Sequence, residues 1–528
     1  MRCGYPRDRV LPESCVAICK SFIDTVGKLV TKKTAHEQSK VGAMNSTAGA
    51  RTTPLRVLLV GIGIDKWSSP IIENLRKEGN YEVFGTGSES PAYPQMFTRF
   101  LVRGNPHESG LDVTEDVKRS VIDKDLYREI KSFEGATLRM LDRVDGFRIW
   151  QRNDISKRRS YIFREAAFWS KYLVENQIDS VVFPNVPHEV HDFIIYNLCV
   201  SRGVPTLILY HNFNIHTFAF SAAEKVEEVG DFAIASKIKG SIEFKEALNF
   251  GNRLANDFLG LVSESDSNLD EFAENHVLLE QFETKNSALN TSNRTSMKER
   301  IFRKTSRFRT AIEYWATKKL AEFPEEFVFF PLHVQPELSI SPSGGHFEEQ
   351  FEAVRFIASK LPDGWKVVLK EHPHQTGFGP RPIGFYKTLQ NIPNVCFVKT
   401  EVLSSMVISK CQAVATITGS AGLEALRVGK PSWVLGAPWY LMAPGITRID
   451  TLSDLQNAFE ALTNWMPATS KELEDYLDLL HGSHFYGFIP GFPDFASPKE
   501  LDFLLNSTVN NVFSVIVCWL KLRNPSSC

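Results

Sequence analysis

Apolar runs that end in glycine alternate with amphipathic stretches in the first third of the chain. Residues 55–64, LRVLLVGIGI, form a run closed by Gly61 and Gly63, which is typical of a buried parallel strand entering a turn. Ser69 and Pro70 then begin a predicted short helix, because serine caps helices and proline suits the first turn. The following stretch, YEVFGTG, predicts a second strand, so the chain opens in a Rossmann-like β-α-β order.

The same alternation continues to residue 220. It predicts a helix over residues 161–176, a strand in DSVVF, a helix in FIIYNLCVSRG and a strand in PTLILYHN. This order is expected of a doubly wound sheet. We therefore predict an N-terminal Rossmann-like acceptor domain over residues 54–220.

A second alternating series begins at EFVFFPLHV and contains five predicted strands with four helices between them. Since parallel strands need crossover connections, this series predicts a second parallel α/β domain over residues 321–450. The helices are predicted over residues 346–360, 382–390, 402–410 and 420–428. The remaining predicted segments are a weakly ordered N-terminal extension (1–53), a helical insert (221–320) and a C-terminal helical extension (451–528).

Composition agrees with two cores and limits the function classes. The chain has 528 residues, 43% hydrophobic and 11% aromatic, and a net charge of -2 that gives no argument for binding nucleic acid. Its eight cysteines form no CxxC pair, which favours a reducing, cytoplasmic compartment.

Residues 1–50 have no continuous apolar segment, so no secretory signal is predicted. The apolar run VFSVIVCWL (512–520) is short of the ~20 residues that span a bilayer, which leaves a terminal helix or a peripheral membrane contact.

Candidate chemistry lies where strands of the second domain end, because ligands of open parallel sheets bind at the carboxyl ends of the strands. Three such ends are polar: PLHVQPELSISPSGG, KEHPH and TITGSAGLEAL. In the second, Lys370 and His372 could neutralise a phosphate or a carboxylate.

The third strand end could form a phosphate-binding turn. Small residues allow close backbone approach, and the start of a helix presents free N–H groups. Thr418 and Ser420 add hydroxyl groups, and Glu424 could accept hydrogen bonds from a ribose. The alternative is that Gly419 and Gly422 only pack the helix tightly on its sheet.

In the first domain, the loop NVPHEVHD follows a predicted strand. Its two histidines are three positions apart instead of the four of H-E-x-x-H, so no metal site is predicted. Either Glu189 or His188 could act as a base or position an acceptor hydroxyl. The alternative is a capping loop that starts the next helix at Asp192.

Residues of about 325–450 resemble the capsule polysaccharide biosynthesis family through the QPE, HP and TGSAGLEALRVGKP motifs. This family includes GT-B glycosyltransferases related to bacterial Kdo transferases that use CMP-Kdo. The resemblance implies two Rossmann-like domains facing a cleft. It also implies a nucleotide-sugar site, whose members would be Gln335, Lys370, His372, Thr418, Gly419, Ser420, Gly422 and Glu424. Glu337 would be the nucleophile of a retaining route, whereas an inverting route would use a base such as Glu189.

The predicted function is a metal-independent glycosyltransferase without a cofactor. Its donor would be a nucleotide-sugar, and its acceptor a capsule or surface polysaccharide or a lipid-linked glycan. Two alternatives stay open: a nucleotide-sugar epimerase or hydrolase, which needs no acceptor, and a non-catalytic nucleotide- or carbohydrate-binding assembly protein, which would tolerate loss of Glu337 and Glu189.

Overall fold

The computed structural model describes most of both predicted domains. The described residues are 53–66, 68–87, 90–103, 120–145, 155–211, 218–247, 249–259, 308–309, 311–317, 319–335, 340–373, 375, 381–382, 384–488 and 498–524. The strands are β1 (Leu55–Val60), β2 (Tyr81–Gly87), β3 (Arg99–Val102), β4 (Ser180–Phe183), β5 (Thr206–His211), β6 (Ala219–Ala223), β7 (Phe327–Pro331), β8 (Lys366–Lys370), β9 (Val395–Phe397), β10 (Ala413–Thr416), β11 (Ser432–Val434), β12 (Ile446–Arg448) and β13 (Phe485–Tyr486). The α-helices are α1 (Ser69–Lys77), α2 (Lys124–Asp145), α3 (Ile155–Glu175), α4 (Val190–Arg202), α5 (Ala233–Lys239), α6 (Phe250–Leu259), α7 (Gln350–Ala358), α8 (Phe385–Gln390), α9 (Ser404–Lys410), α10 (Ala421–Arg427), α11 (Leu452–Ala461), α12 (Ser470–His481) and α13 (Pro498–Arg523).

The first sheet has the order β13-β6-β5-β4-β1-β2-β3. Strands β1 to β5 pair in parallel, with β1 at the centre between β2 and β4. Because β1 and β4 are adjacent while the chain leaves them in opposite directions, the order of the strands reverses between them. Both faces of this sheet are covered, which is why β1 and β4 are apolar along almost their whole length.

Strands β6 and β13 extend the first sheet in antiparallel fashion, and neither was predicted. The predicted helical insert therefore begins inside a strand, since β6 ends at Ala223. The predicted C-terminal extension is also not separate from the first domain: β13 pairs with β6, and α13 packs in the apolar cluster beneath β1 and α1. About half of the insert, residues 260–307, lies outside the described residues.

The second sheet is parallel throughout, with the order β12-β11-β10-β7-β8-β9. If β7 is taken as the first strand of the domain, the six strands have the order of a Rossmann sheet. The strand order reverses between β7 and β10. The five predicted strands are present, and β12 is an additional strand. Each observed helix begins and ends within four residues of the predicted bounds. The predicted fold class, α/β with two Rossmann-like domains, is confirmed.

The two sheets are joined through the segments that follow β6. Arg427 of α10 donates hydrogen bonds to the backbone oxygens of Asp257 (2.7 Å) and Phe258 (2.9 Å) in α6. Gly230 approaches the second domain so closely that a Cβ atom would overlap the carbonyl oxygen of Pro438, and its φ of 84° suits glycine. The interface is therefore packed backbone against backbone at this point.

Helix α13 is longer than its apolar run suggests. Its stretch Asp502–Arg523 is long and apolar enough to cross a membrane by length and composition, and it is the only such helix among the described residues. In the structure 61% of its most apolar window is buried inside the protein. The predicted short run is therefore the middle of a helix that belongs to the core of the first sheet.

Trp519 should be a main contributor to the packing of α13. Its side chain is fully buried, and its Nε1 donates a hydrogen bond of 2.7 Å to Glu224. Trp519→Ala is expected to lower the free energy of unfolding by about 3–5 kcal/mol, because it leaves a cavity in the core. Chemical denaturation measures this change. Leu522→Ala, at a position 45% exposed on the same helix, is the control and should change stability by about 0.5 kcal/mol or less. Equal effects of the two substitutions would contradict the docking of α13.

Candidate functional site

Three adjacent strands of the second sheet, β10, β7 and β8, carry polar residues just beyond their carboxyl ends. His333 follows β7, Lys370 is the last residue of β8, and Thr418 follows β10. All three residues are buried. This edge includes the reversal of strand order between β7 and β10, which is where doubly wound sheets bind their ligands.

The imidazole of His333 connects the ends of β7 and β10. Its Nε2 lies 3.1 Å from Thr416 Oγ1 and 3.3 Å from the backbone nitrogen of Thr418. A Cβ atom on Gly419 would lie 2.9 Å from the same Nε2, so only glycine leaves room for the ring. Burial lowers the pKa of His333 to about 3, with the nearby charges of His372 and Arg381 acting in the same direction. His333 is therefore neutral at physiological pH.

Gln335 is held by two glutamines that the sequence analysis did not single out. Gln350 donates from Nε2 to Gln335 Oε1 (3.1 Å) and accepts from the backbone N–H of His333 (2.7 Å). Gln375 accepts from the backbone N–H of Gln335 (2.9 Å) and donates to its carbonyl oxygen (3.0 Å). Both glutamines are buried. The start of the QPE motif is therefore fixed, whereas Glu337 lies outside the described residues.

A buried ion pair connects the ends of β7 and β8. Arg381 donates from Nε (3.1 Å) and Nη2 (2.7 Å) to the two carboxylate oxygens of Glu371. The same Nη2 donates to the carbonyl oxygen of His333 at 2.7 Å. The hydroxyl of Tyr386 also donates to Glu371, and the backbone N–H of His372 donates to it at 2.7 Å. Glu371 is therefore a structural carboxylate, and Arg381, which no sequence pattern indicated, positions the site.

Lys370 differs from Arg381 because its ammonium group has no partner among the residues that the structure describes. The residue is 7% exposed, and its Nζ makes no hydrogen bond or ion pair within 4 Å with any residue that the structure describes. Burial lowers the pKa of Lys370 from its ordinary value, and the carboxylates of Glu424, Glu371 and Glu401 partly oppose this effect. The site thus contains a buried cation that is available to an anionic ligand.

The turn after β10 is held together by contacts among its own residues and with the sheet. The Ser420 hydroxyl donates to Glu424 at 3.1 Å, which brings the two polar side chains of the turn together. A Cβ atom on Gly422 would lie 2.5 Å from the Tyr440 hydroxyl and 2.7 Å from Ser432 Oγ. Close packing of α10 on the sheet therefore explains Gly422 without a ligand. Helix α10 has only seven residues, so its dipole adds little to an anion site. The ligand-binding roles of Thr418, Gly419, Ser420, Gly422 and Glu424 stay predictions.

The first-domain loop follows β4 at the strand-order reversal of its own sheet. His188 Nδ1 lies 2.7 Å from the carbonyl oxygen of Val186, and the Asp192 carboxylate accepts from the backbone N–H of His188 at 3.3 Å. Glu189 lies 3.9 Å from His188 and is the N-cap residue of α4. The helix thus begins two residues before Asp192, its predicted start, and no side-chain hydrogen bond caps it, while the catalytic roles of His188 and Glu189 stay predictions. No group of three or more His, Cys, Asp or Glu side chains that could hold a metal occurs within the described ranges.

The comparison with protein families covers the second half of the chain. Residues 260–473 match the model of the capsule polysaccharide biosynthesis protein family. The match contains the ends of β7, β8 and β10 and every residue of the second-domain site. The predicted resemblance to this family is confirmed for that part of the chain, which is less than half of its length.

Individual relatives are more distant. Protein FixF of Sinorhizobium fredii is 30% identical over 146 residues, which are 27% of this chain and 34% of that protein. The chain thus matches about a third of the length of this curated relative. Two similar solved structures are the β-Kdo 2,7 transferase KpsC of Thermosulfurimonas dismutans (14% identity, 65% of this chain, 88% of that chain, TM-score 0.28) and the UDP-GlcNAc 2-epimerase of Methanocaldococcus jannaschii (12% identity, 81% of this chain, 99% of that chain, TM-score 0.24). At such TM-scores the likeness supports no inference about activity.

Arg381 should stabilise the second domain much more than a surface arginine does. Arg381→Ala is expected to lower the free energy of unfolding by about 3–5 kcal/mol, because it leaves the buried Glu371 carboxylate without its partner. Arg355→Ala is the matched control: Arg355 pairs with Glu352 at 3.8 Å on the surface of α7, and its loss should cost about 1 kcal/mol or less. Chemical denaturation of both variants measures the difference. A small effect of Arg381→Ala would show that the buried pair is not needed for the fold.

Proposed function

We propose that the protein is a glycosyltransferase that moves a sugar from a nucleotide donor onto a glycan or lipid-linked acceptor in capsule or surface polysaccharide synthesis. The observation that carries this proposal is the buried, unpaired ammonium group of Lys370 at the edge of the second sheet. That edge is the ligand-binding position of such sheets, and the family match includes it. By the resemblance, the donor is a Kdo-like sugar linked to CMP.

The leaving group of this reaction is a nucleotide phosphate, and Lys370 is suited to stabilise it. A cation that is already in place in a site of low dielectric stabilises developing negative charge without reorganisation. His372 lies two positions after Lys370, and its backbone N–H is fixed by a hydrogen bond to the carboxylate of Glu371. The Thr418 hydroxyl would supply a further donor, and the Ser420 hydroxyl would do so on exchanging its bond to Glu424 for one to the phosphate, while Glu424 would accept hydrogen bonds from the ribose. Because these groups together offset the phosphate charge, the proposal includes neither a metal ion nor a cofactor.

Glu337 is the proposed nucleophile. Its carboxylate would attack the anomeric carbon while the bond from that carbon to the phosphate oxygen breaks, and the electron pair would leave with the nucleotide. The acceptor hydroxyl would then displace Glu337 and give its proton to a base of the first-domain loop, His188 or Glu189, which gives retention. In an inverting route the acceptor hydroxyl would attack directly, and Glu189 would take its proton.

The acceptor would approach from the first domain, whose loop after β4 carries His188 and Glu189. We propose a cytoplasmic location, as the cysteine pattern predicts. A peripheral membrane contact of the C-terminal region gains no support from residues 512–520, because most of the apolar side chains of that run pack inside the core of the first sheet.

Lys370→Ala is expected to weaken nucleotide binding by about tenfold or more, because hydrogen bonds to charged groups contribute about 1.5–3 kcal/mol. Isothermal titration with CMP, UDP, GDP and their sugars measures the affinities and also identifies the base. Lys366→Ala is the control, since Lys366 lies at the opposite end of β8 and bonds Asn394 at 2.8 Å. Equal affinities of the Lys370 and Lys366 variants would refute the proposed phosphate contact.

Glu337→Gln should leave the affinity for nucleotide nearly unchanged and lower sugar transfer by at least about a thousandfold, because it removes the nucleophile. Transfer is measured with the donor found in the titration panel and an acceptor glycan. Glu326→Gln, at the other end of β7, should keep full activity. If Glu337→Gln is active and Glu189→Gln is not, the inverting route is correct. Turnover that is independent of the acceptor would instead indicate a hydrolase or an epimerase.

A further inference from the structure

The hydrogen bonds of His333 determine which of its ring nitrogens carries the proton. The backbone N–H of Thr418 can only donate, and it points to Nε2 at 3.3 Å. Nε2 must therefore be an acceptor, so the proton of the neutral ring is on Nδ1. The Thr416 hydroxyl accepts from the backbone N–H of Gly419 at 3.1 Å and is free to donate its own proton to the same Nε2.

The Nδ1–H group itself has no acceptor. Nδ1 is buried, the whole residue is 7% exposed, and within the described part of the chain no hydrogen-bond partner of this atom is present. A buried donor without an acceptor costs free energy, and native proteins retain few such groups. By contrast, every other polar atom of His333 is engaged: Gln350 binds its N–H, and Arg381 binds its carbonyl oxygen.

The ring cannot easily turn away to relieve this cost. Gly419 lies against Nε2. The backbone N–H of His333 is held by Gln350, and its carbonyl oxygen is held by Arg381. His333 thus presents a fixed N–H group beside the strand-order reversal, at the same sheet edge as Lys370. Preorganised donors of this kind bind groups whose charge and position match them.

The surrounding charges indicate the chemistry of the missing acceptor. The groups that act on His333 are His372 and Arg381, and both disfavour further positive charge there. An anionic oxygen would satisfy the N–H group and benefit from these charges. Glu371 cannot supply it without giving up its bonds to Arg381 and Tyr386.

We infer that Nδ1–H of His333 donates a hydrogen bond to a phosphate oxygen of the bound nucleotide-sugar. This inference rests on the proposed function and adds to it a residue outside the predicted set. His333 would recognise the phosphate by geometry as a neutral donor, whereas Lys370 would contribute the charge.

Two variants separate the two nitrogens. In His333→Gln the side-chain oxygen can take the place of Nε2, so the contacts with Thr416 and Thr418 are kept and the Nδ1 donor is lost. In His333→Asn the amide lies near the position of Nδ1, so a donor is kept there and the Nε2 acceptor is lost. His333→Gln should therefore keep its Tm and bind CMP about tenfold more weakly, with unchanged affinity for cytidine, which has no phosphate. His333→Asn should have a lower Tm but keep most of its preference for CMP over cytidine.

Nitrogen-15 NMR of histidine-labelled wild-type protein tests the inference without requiring a stable variant. We expect an Nδ1–H signal of His333 that shifts when nucleotide is added, assigned by its loss in His333→Gln or His333→Asn. An Nε2–H tautomer, or an Nδ1–H signal that saturating nucleotide does not move, would overturn the inference. The same conclusion would follow from a His333→Gln variant with wild-type Tm and wild-type affinity for CMP.

The probes also distinguish failure of the inference from failure of the proposed function. If the wild-type protein binds none of CMP, UDP and GDP, the proposed function is wrong. Titration with pyrophosphate then tests the contact alone: a shift of the Nδ1–H signal supports an anion site at His333, and the absence of a shift rejects it. If nucleotide binds and the signal does not respond, only the role of His333 is rejected.

Discussion

The site depends on one buried ion pair, between Arg381 and Glu371. The guanidinium group has no solvent exposure, so its charge must be balanced inside the protein. It is balanced by two bonds to the carboxylate and one to the carbonyl oxygen of His333. Because the guanidinium is planar and its donors have fixed directions, these bonds fix the distance between the segments that follow β7 and β8. The imidazole of His333 then extends the connection to β10, and the three strand ends behave as one rigid unit.

The two charged residues at the start of the KEHP segment, Lys370 and Glu371, have different roles. Glu371 is directed inward and is saturated by protein donors, whereas Lys370 keeps its charge unpaired at the sheet edge. The structural residue keeps the segment in place, and the unpaired residue is therefore available for a ligand.

Much of the fold was predictable because buried parallel strands are continuous apolar runs. Such runs led directly to β1, β2, β7, β8 and β10, and the polar residues behind them indicated the sheet edge where the candidate site lies. The strands β3, β6, β12 and β13 were not predicted. They are short, and β13 pairs with β6, more than 250 residues away in the chain.

The supporting residues of the site were hidden for a similar reason. Arg381 lies in a stretch rich in glycine and proline without any periodicity, and its bond to His333 joins residues 48 positions apart. Gln350 is the first residue of a helix, a place where a polar side chain is ordinary. Nothing local distinguishes these residues from solvated ones, because their role exists only after the strands have assembled. Among the residues near the strand ends, the sequence indicated those with an unusual local context, such as Lys370.

The path of the chain has a consequence for biosynthesis. The first sheet is interrupted after β6 by the whole second domain and is completed only by β13 and α13. On the ribosome, the second domain therefore emerges and can fold while the first still exposes the apolar face that α13 will cover. A nascent chain halted before residue 512 would carry a complete second domain attached to a first domain whose apolar face is still open and prone to aggregation. Among the described residues, α13 is the helix furthest along the chain, and it completes the core that begins at β1.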